Sequence, residues 1–85
     1  MFKIILSKNA NKVYNSLDKK TEKRFTNAFK TVSKNPYFGK NIKKLKGKLE
    51  GLYRYRLGQY RIVYEIKKNV RIVAIIWIGK RENTY

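Results

Sequence analysis

Apolar residues recur along this chain with two different periods, and the change of period divides it. Residues 2–6 (FKIIL) are rich in β-formers and predict a first strand. Ser7 then stands where a helix N-cap belongs. Ala10, Val13, Tyr14 and Leu17 follow at the i, i+3, i+4, i+7 spacing of one helical face. Asp18 is placed to cap a second helix, whose stripe of Thr21, Phe25, Ala28, Phe29 and Val32 keeps the same period. Asn35-Pro36 ends it, because the residue before proline disfavours helical backbone. Helices joined this closely predict an antiparallel hairpin, and both stripes read as core.

Residues 37–51 (YFGKNIKKLKGKLEG) predict a connection in which Leu45 and Leu49 tuck inward while the lysines stay in water. From Leu52 the period becomes two. Leu52–Leu57, Tyr60–Ile66 and Val70–Ile78 then read as three strands of a meander. Gly58-Gln59 is a two-residue turn with glycine first, the type II′ preference, and Lys67-Lys68-Asn69 supplies the second turn. Val70–Ile78 is apolar on both faces, which marks an interior strand with the first strand beside it. Gly79 permits a sharp turn that would fold the tail back over the sheet. The order β-α-α-β-β-β predicts a single small α+β domain over residues 1–85, its helix hairpin packed on one face of a mainly antiparallel sheet.

Charge changes the picture. With 22 Lys and Arg against 5 Asp and Glu, the net charge is +17, and a domain this basic repels itself until a polyanion is near. Nucleic acid leads, because neither helix opposes a strongly apolar face to a basic one as a membrane-surface helix does. The chain has no cysteine and no histidine, which excludes thiol nucleophiles, Ser-His and Cys-His pairs, and the commonest metal ligand. Asp18, Glu22, Glu50, Glu65 and Glu82 are scattered, so no cofactor is expected and any catalysis falls to Lys, Arg and Tyr. The opening apolar segment is too short for a signal peptide and no run is long enough to span a membrane, which points to the cytoplasm.

Alternation locates the candidate chemistry. With Gly58-Gln59 as the turn, Leu57 faces Tyr60, Arg56 faces Arg61, Tyr55 faces Ile62 and Tyr53 faces Tyr64. The aromatic and aliphatic pairs turn to the helices, which leaves Arg54, Arg56 and Arg61 together on the other face. Like charges directly opposite in a sheet are destabilising. Their retention here points to an anion seated between them, and the planar guanidinium fork suits phosphate.

The segment Lys44-Leu45-Lys46-Gly47 … Gly51-Leu52-Tyr53-Arg54-Tyr55-Arg56-Leu57-Gly58-Gln59-Tyr60-Arg61-Ile62-Val63-Tyr64 resembles the RelE/ParE superfamily of toxins from type II toxin–antitoxin modules. The ending Ile78-Gly79-Lys80-Arg81 … Tyr85 looks like the closing motif of its RelE branch. The resemblance implies a ribosome-dependent endoribonuclease that cuts translated mRNA without a metal, turning the 2′-hydroxyl on the adjacent phosphate. It implies a catalytic set of Arg54, Arg56, Arg61, Arg81 and Tyr85. Arg54 and Arg56 stand where the branch often has lysine; a group with pKa above about 12 is a poor proton acceptor, which casts them as electrostatic stabilisers. Tyr85 then becomes the expected base and Lys80 the expected acid. Lys40, Lys43, Lys44, Lys46, Lys48 and Lys80 are expected to add contacts to RNA. The implied partners are the ribosome, mRNA and a RelB-like antitoxin with an acidic amphipathic segment, in a heterotetramer. The competing implication is a ParE-like inhibitor of DNA gyrase with no nuclease activity.

Overall fold

Ser7 shows how the sequence builds the first corner. Its backbone is extended, its Oγ accepts the N–H of Ala10 at 3.1 Å, and the chain turns from strand β1 (Lys3–Leu6) into helix α1 (Lys8–Asn15). The computed structural model describes residues 1–80. Helix α2 (Lys19–Lys34) follows at once. Asp18 holds its N-cap position with extended backbone, but the carboxylate makes no capping hydrogen bond. The helix ends at Asn35, whose side-chain carbonyl instead accepts the N–H groups of Tyr37 and Phe38 at 3.1 and 3.3 Å. Tyr14 locks the hairpin: its hydroxyl lies 2.9 Å from the Thr26 hydroxyl, and its ring packs on Phe25 and Phe29.

Strands β2 (Ile42–Lys44), β3 (Leu52–Leu57), β4 (Tyr60–Lys67) and β5 (Ile72–Lys80) complete a five-stranded sheet in the order β1-β5-β4-β3-β2. Only the β1–β5 pairing is parallel. The expected register of β3 against β4 is observed in full, and Gly58 (φ +59°) makes the tight turn between them. No helix among the described residues is long and apolar enough to cross a membrane.

Three expectations are corrected. The connection before β3 contains β2, which pairs Ile42 with Tyr55 and Lys43 with Arg54, followed by a 3₁₀ turn at Gly47–Leu49. Its three residues were too few for a period to show. Leu45 and Leu49 are half-buried there and the lysines exposed, as expected. The last strand also lies further along the chain than its apolar run. Val70 is 62% exposed in a 3₁₀ turn, Arg71 takes left-handed backbone (φ 52°), and β5 continues through Gly79 to Lys80. Gly79 is therefore extended and paired with Arg61, not a turn.

The core lies between the helices and one face of the sheet. Phe25, Ala28 and Val32 of α2 and Ala10 of α1 meet Tyr55, Ile62, Tyr64, Val73, Ile75 and Ile78. Phe25 packs edge-on against Tyr60, and Tyr53 stacks on Tyr64 with centroids 5.7 Å apart. Tyr64 is wholly buried and donates its hydroxyl to the Pro36 carbonyl at 2.7 Å, which pins the chain leaving α2 to the middle of the sheet. Burial, with a smaller push from Tyr53 and Tyr55, raises the Tyr64 pKa above its ordinary value. At the other edge, Ser33 donates its hydroxyl to the Phe2 carbonyl, and the Phe2 N–H returns to the Ser33 carbonyl at 2.9 Å.

One irregularity decides what reaches the far face. Val63 pairs with Trp77 while Tyr64 pairs with Ile75, so Ile76 is an extra residue in β5. Its carbonyl accepts the Ser7 hydroxyl at 2.7 Å. The bulge resets the alternation: Val73, Ile75 and Ile78 are all buried against the helices, and Trp77 is sent to the opposite side.

Candidate phosphate-binding face

The face away from the helices is built in rows across the sheet. One row runs Lys43, Arg54, Val63, Trp77, and the next runs Arg56, Arg61, Gly79. Strand spacing is about 4.8 Å, so each step along a row is short compared with an arginine side chain. Arg54, Arg56 and Arg61 are thus neighbours, as expected from alternation.

They are not equivalent. Arg56 is exposed and faces Arg61 directly. Arg61 is half-buried, and its Nη1 donates to the carbonyls of Gly58 at 3.3 Å and Tyr60 at 3.1 Å. These hydrogen bonds draw the guanidinium toward the β3–β4 turn, which partly relieves the repulsion and fixes one charge in place. Arg54 is half-buried, and its Nε is buried without a hydrogen-bond partner among the described residues. An unsatisfied buried donor costs about 1–3 kcal/mol. Between Arg54 and Trp77 in the row, Val63 is only 2% exposed. The result is a fixed cation, a free-standing one and a half-buried one over a small apolar floor. That arrangement can grip an oxyanion and hold it off bulk water.

The other expected residues divide. Lys43 is exposed beside Arg54 on the same face. Lys44 pairs with Tyr53 and Lys80 with Tyr60, which places both on the helix side. Lys46 and Lys48 sit exposed at the 3₁₀ turn before β3, and Lys40 is exposed ahead of β2. Arg81 and Tyr85 lie outside the described residues.

Two residues escaped the sequence reading. A Cβ at Gly58 would lie 2.7 Å from Nη2 of Arg24, so α2 brings a further guanidinium to the β3–β4 turn. Nothing in the helical pattern separates Arg24 from the lysines around it. Trp77 was hidden inside an apolar run, because a bulge leaves no mark on composition. A Cβ at Gly79 would lie 2.2 Å from Cζ2 and Cη2 of Trp77, so the indole lies over the Gly79 backbone in the row of Arg61 and Arg56.

The sequence pattern of the ParE toxin of type II toxin–antitoxin systems matches residues 4–85. The chain is 33% identical over 86 residues to a putative toxin RelE1 of Methanocaldococcus jannaschii, covering 99% of this chain and 94% of that protein. Among solved structures, it is similar to a chain of the archaeal RelE–RelB complex of Pyrococcus horikoshii, with a TM-score of 0.81, 26% identity and 98% of each chain covered. It is also similar to a chain of the heterotetrameric YoeB–YefM toxin–antitoxin complex of Staphylococcus aureus, with a TM-score of 0.74, 28% identity, and 91% and 93% of the two chains covered.

Proposed function

The chain belongs to the ParE toxin family of type II toxin–antitoxin systems, and from that premise we propose that this toxin is a ribosome-dependent mRNA endoribonuclease working through its arginine face. The observation that carries the reading is the opposed pair Arg56 and Arg61 beside half-buried Arg54. A binding surface with no need to stabilise extra charge gains little from forcing like charges together. Phosphoryl transfer does need it, because negative charge builds on the equatorial oxygens in the transition state.

In this mechanism the 2′-oxygen of the preceding ribose attacks the phosphorus as its proton leaves. The P–O5′ bond breaks, and the products are a 2′,3′-cyclic phosphate and a 5′-hydroxyl. Arg61, fixed by the turn carbonyls, and Arg56 bind the nonbridging oxygens, and the guanidinium of Arg54 adds positive charge beside them. Arg81 adds a further charge. Tyr85 takes the 2′ proton as general base. The leaving 5′-oxygen takes a proton from solvent water, since Lys80 lies on the helix side of the sheet.

The same reading assigns a RelB-like antitoxin whose acidic amphipathic segment neutralises the +17 charge, assembled with the toxin as a heterotetramer. The RelE–RelB and YoeB–YefM neighbours support it, and they do not favour a gyrase inhibitor. Primer extension on a translated mRNA with purified toxin and ribosomes tests the reading. Codon-register cuts by the wild type, lost in Arg81→Ala and Tyr85→Phe, are the expected result. Absence of cuts together with inhibited DNA supercoiling would overturn it.

A further inference from the structure

We propose that Trp77 is a base-stacking platform: a nucleobase of single-stranded RNA lies on its indole while the phosphate of the same strand sits over Arg61 and Arg56. The inference rests on RNA being the ligand of the arginine face. It does not depend on cleavage.

Three observations converge. Strict alternation from Val73 and Ile75 would turn residue 77 into the core; the extra residue Ile76 turns it outward instead. The bulge is held by the Ser7 hydroxyl on the Ile76 carbonyl, so the outward setting is built into the fold. Next, the indole does not stand away from the sheet. It lies over Gly79, where any Cβ would be only 2.2 Å from its Cζ2 and Cη2, and Gly79 is the register partner of Arg61. The ring therefore begins where the arginine row ends, one strand spacing from Arg61. Finally, Tyr53, Tyr55, Tyr60 and Tyr64 share the helix side of the sheet, while Trp77 shares the side of the arginines and remains partly exposed.

A basic row ending in an aromatic plane is what single-stranded nucleic acid recognises: charge tracks the backbone, and the ring takes a base of any identity on its π-face. A base inside a duplex is already stacked on both sides, so the site selects an unpaired strand with a base splayed out. Covering Val63 alone would require no such alignment with Arg61.

Trp77 is the chain's single tryptophan, so its emission reports on the platform directly. Full-length toxin is titrated with a short labelled oligouridylate, following probe anisotropy and intrinsic fluorescence together. Quenching that tracks the anisotropy is expected, and an oligonucleotide of equal charge made abasic throughout should bind about tenfold more weakly and leave the emission unchanged. Trp77→Phe should bind within a few-fold of wild type, whereas Trp77→Leu should lose about tenfold with its circular dichroism intact. Rising anisotropy with constant emission, or no binding at all, overturns the platform without any variant having to fold. Quenching by RNA without ribosome-dependent cuts would sink the nuclease reading alone. Cuts without quenching would sink the platform alone.

Discussion

Arg56 and Arg61 oppose one another across a hairpin in which every other observed pair, save Leu52 with Glu65 and Arg54 with Val63, joins two apolar or aromatic residues. Removing one charge should therefore separate stability from function. Arg56→Thr is expected to raise unfolding free energy by about 0.2–1 kcal/mol, while RNA cleavage falls by at least tenfold. Urea denaturation and primer extension on the same preparation check both; a variant that loses stability along with activity would argue that Arg56 is structural. Tyr64 makes the opposite case, since its hydroxyl serves the fold. Tyr64→Phe orphans the buried Pro36 carbonyl and should cost about 1–3 kcal/mol. Its raised pKa also sets a sign. The neutral phenol is favoured by the fold, so its contribution is whole below the unfolded pKa of about 10 and is lost as pH rises above it, where the unfolded chain gives up the proton first. The stability gap between wild type and Tyr64→Phe should therefore narrow with rising pH through that range. A gap that widens would contradict the assignment.

At the scale of elements, Ser7 joins two devices through one hydroxyl, capping α1 at Ala10 and bonding the carbonyl of the bulged Ile76. Ser7→Ala should destabilise the domain by about 1–3 kcal/mol. Because the bulge aims Trp77, the variant should also shift tryptophan emission and weaken oligouridylate binding. Unchanged emission would mean that the bulge holds itself. The same elements show what could be read from residues alone. The β3–β4 register followed from Gly58-Gln59, because a two-residue turn fixes pairing and alternation fixes the face; Arg54, Arg56 and Arg61 came with it. Ser7 and Asn35-Pro36 marked helix ends because capping and proline chemistry are local. Strand β2 was not legible, since its three residues are too few for alternation to show and are set by long-range pairing with β3. Nor was the Ile76 bulge, whose carbonyl meets the Ser7 hydroxyl across 69 residues of sequence. Gly79 was misread for the same reason: glycine signals freedom locally, but here it makes room for an indole.

For the whole molecule, the distribution of charge matters more than its total. The helices carry exposed lysines too, Lys12, Lys23 and Lys30 among them, and the excess of +17 attracts any polyanion. The far face of the sheet adds fixed geometry, through the turn carbonyls that hold Arg61 and the short rows that align Arg54, Arg56 and Trp77. Bulk attraction and specific contact should differ in their response to salt. Each phosphate neutralised on a single strand contributes about −0.7 to the slope of log affinity against log salt. Arg54→Ala and Arg56→Ala should each flatten that slope by about 0.7 if each meets one phosphate. Lys12→Ala, on the exposed side of α1, should slightly slow association at low salt and leave the slope near its wild-type value. Oligouridylate affinities measured across a salt series for the three variants decide the matter. Equal slopes throughout would reduce the arginine face to one patch of a uniformly basic surface, and the phosphate site would have to be sought elsewhere.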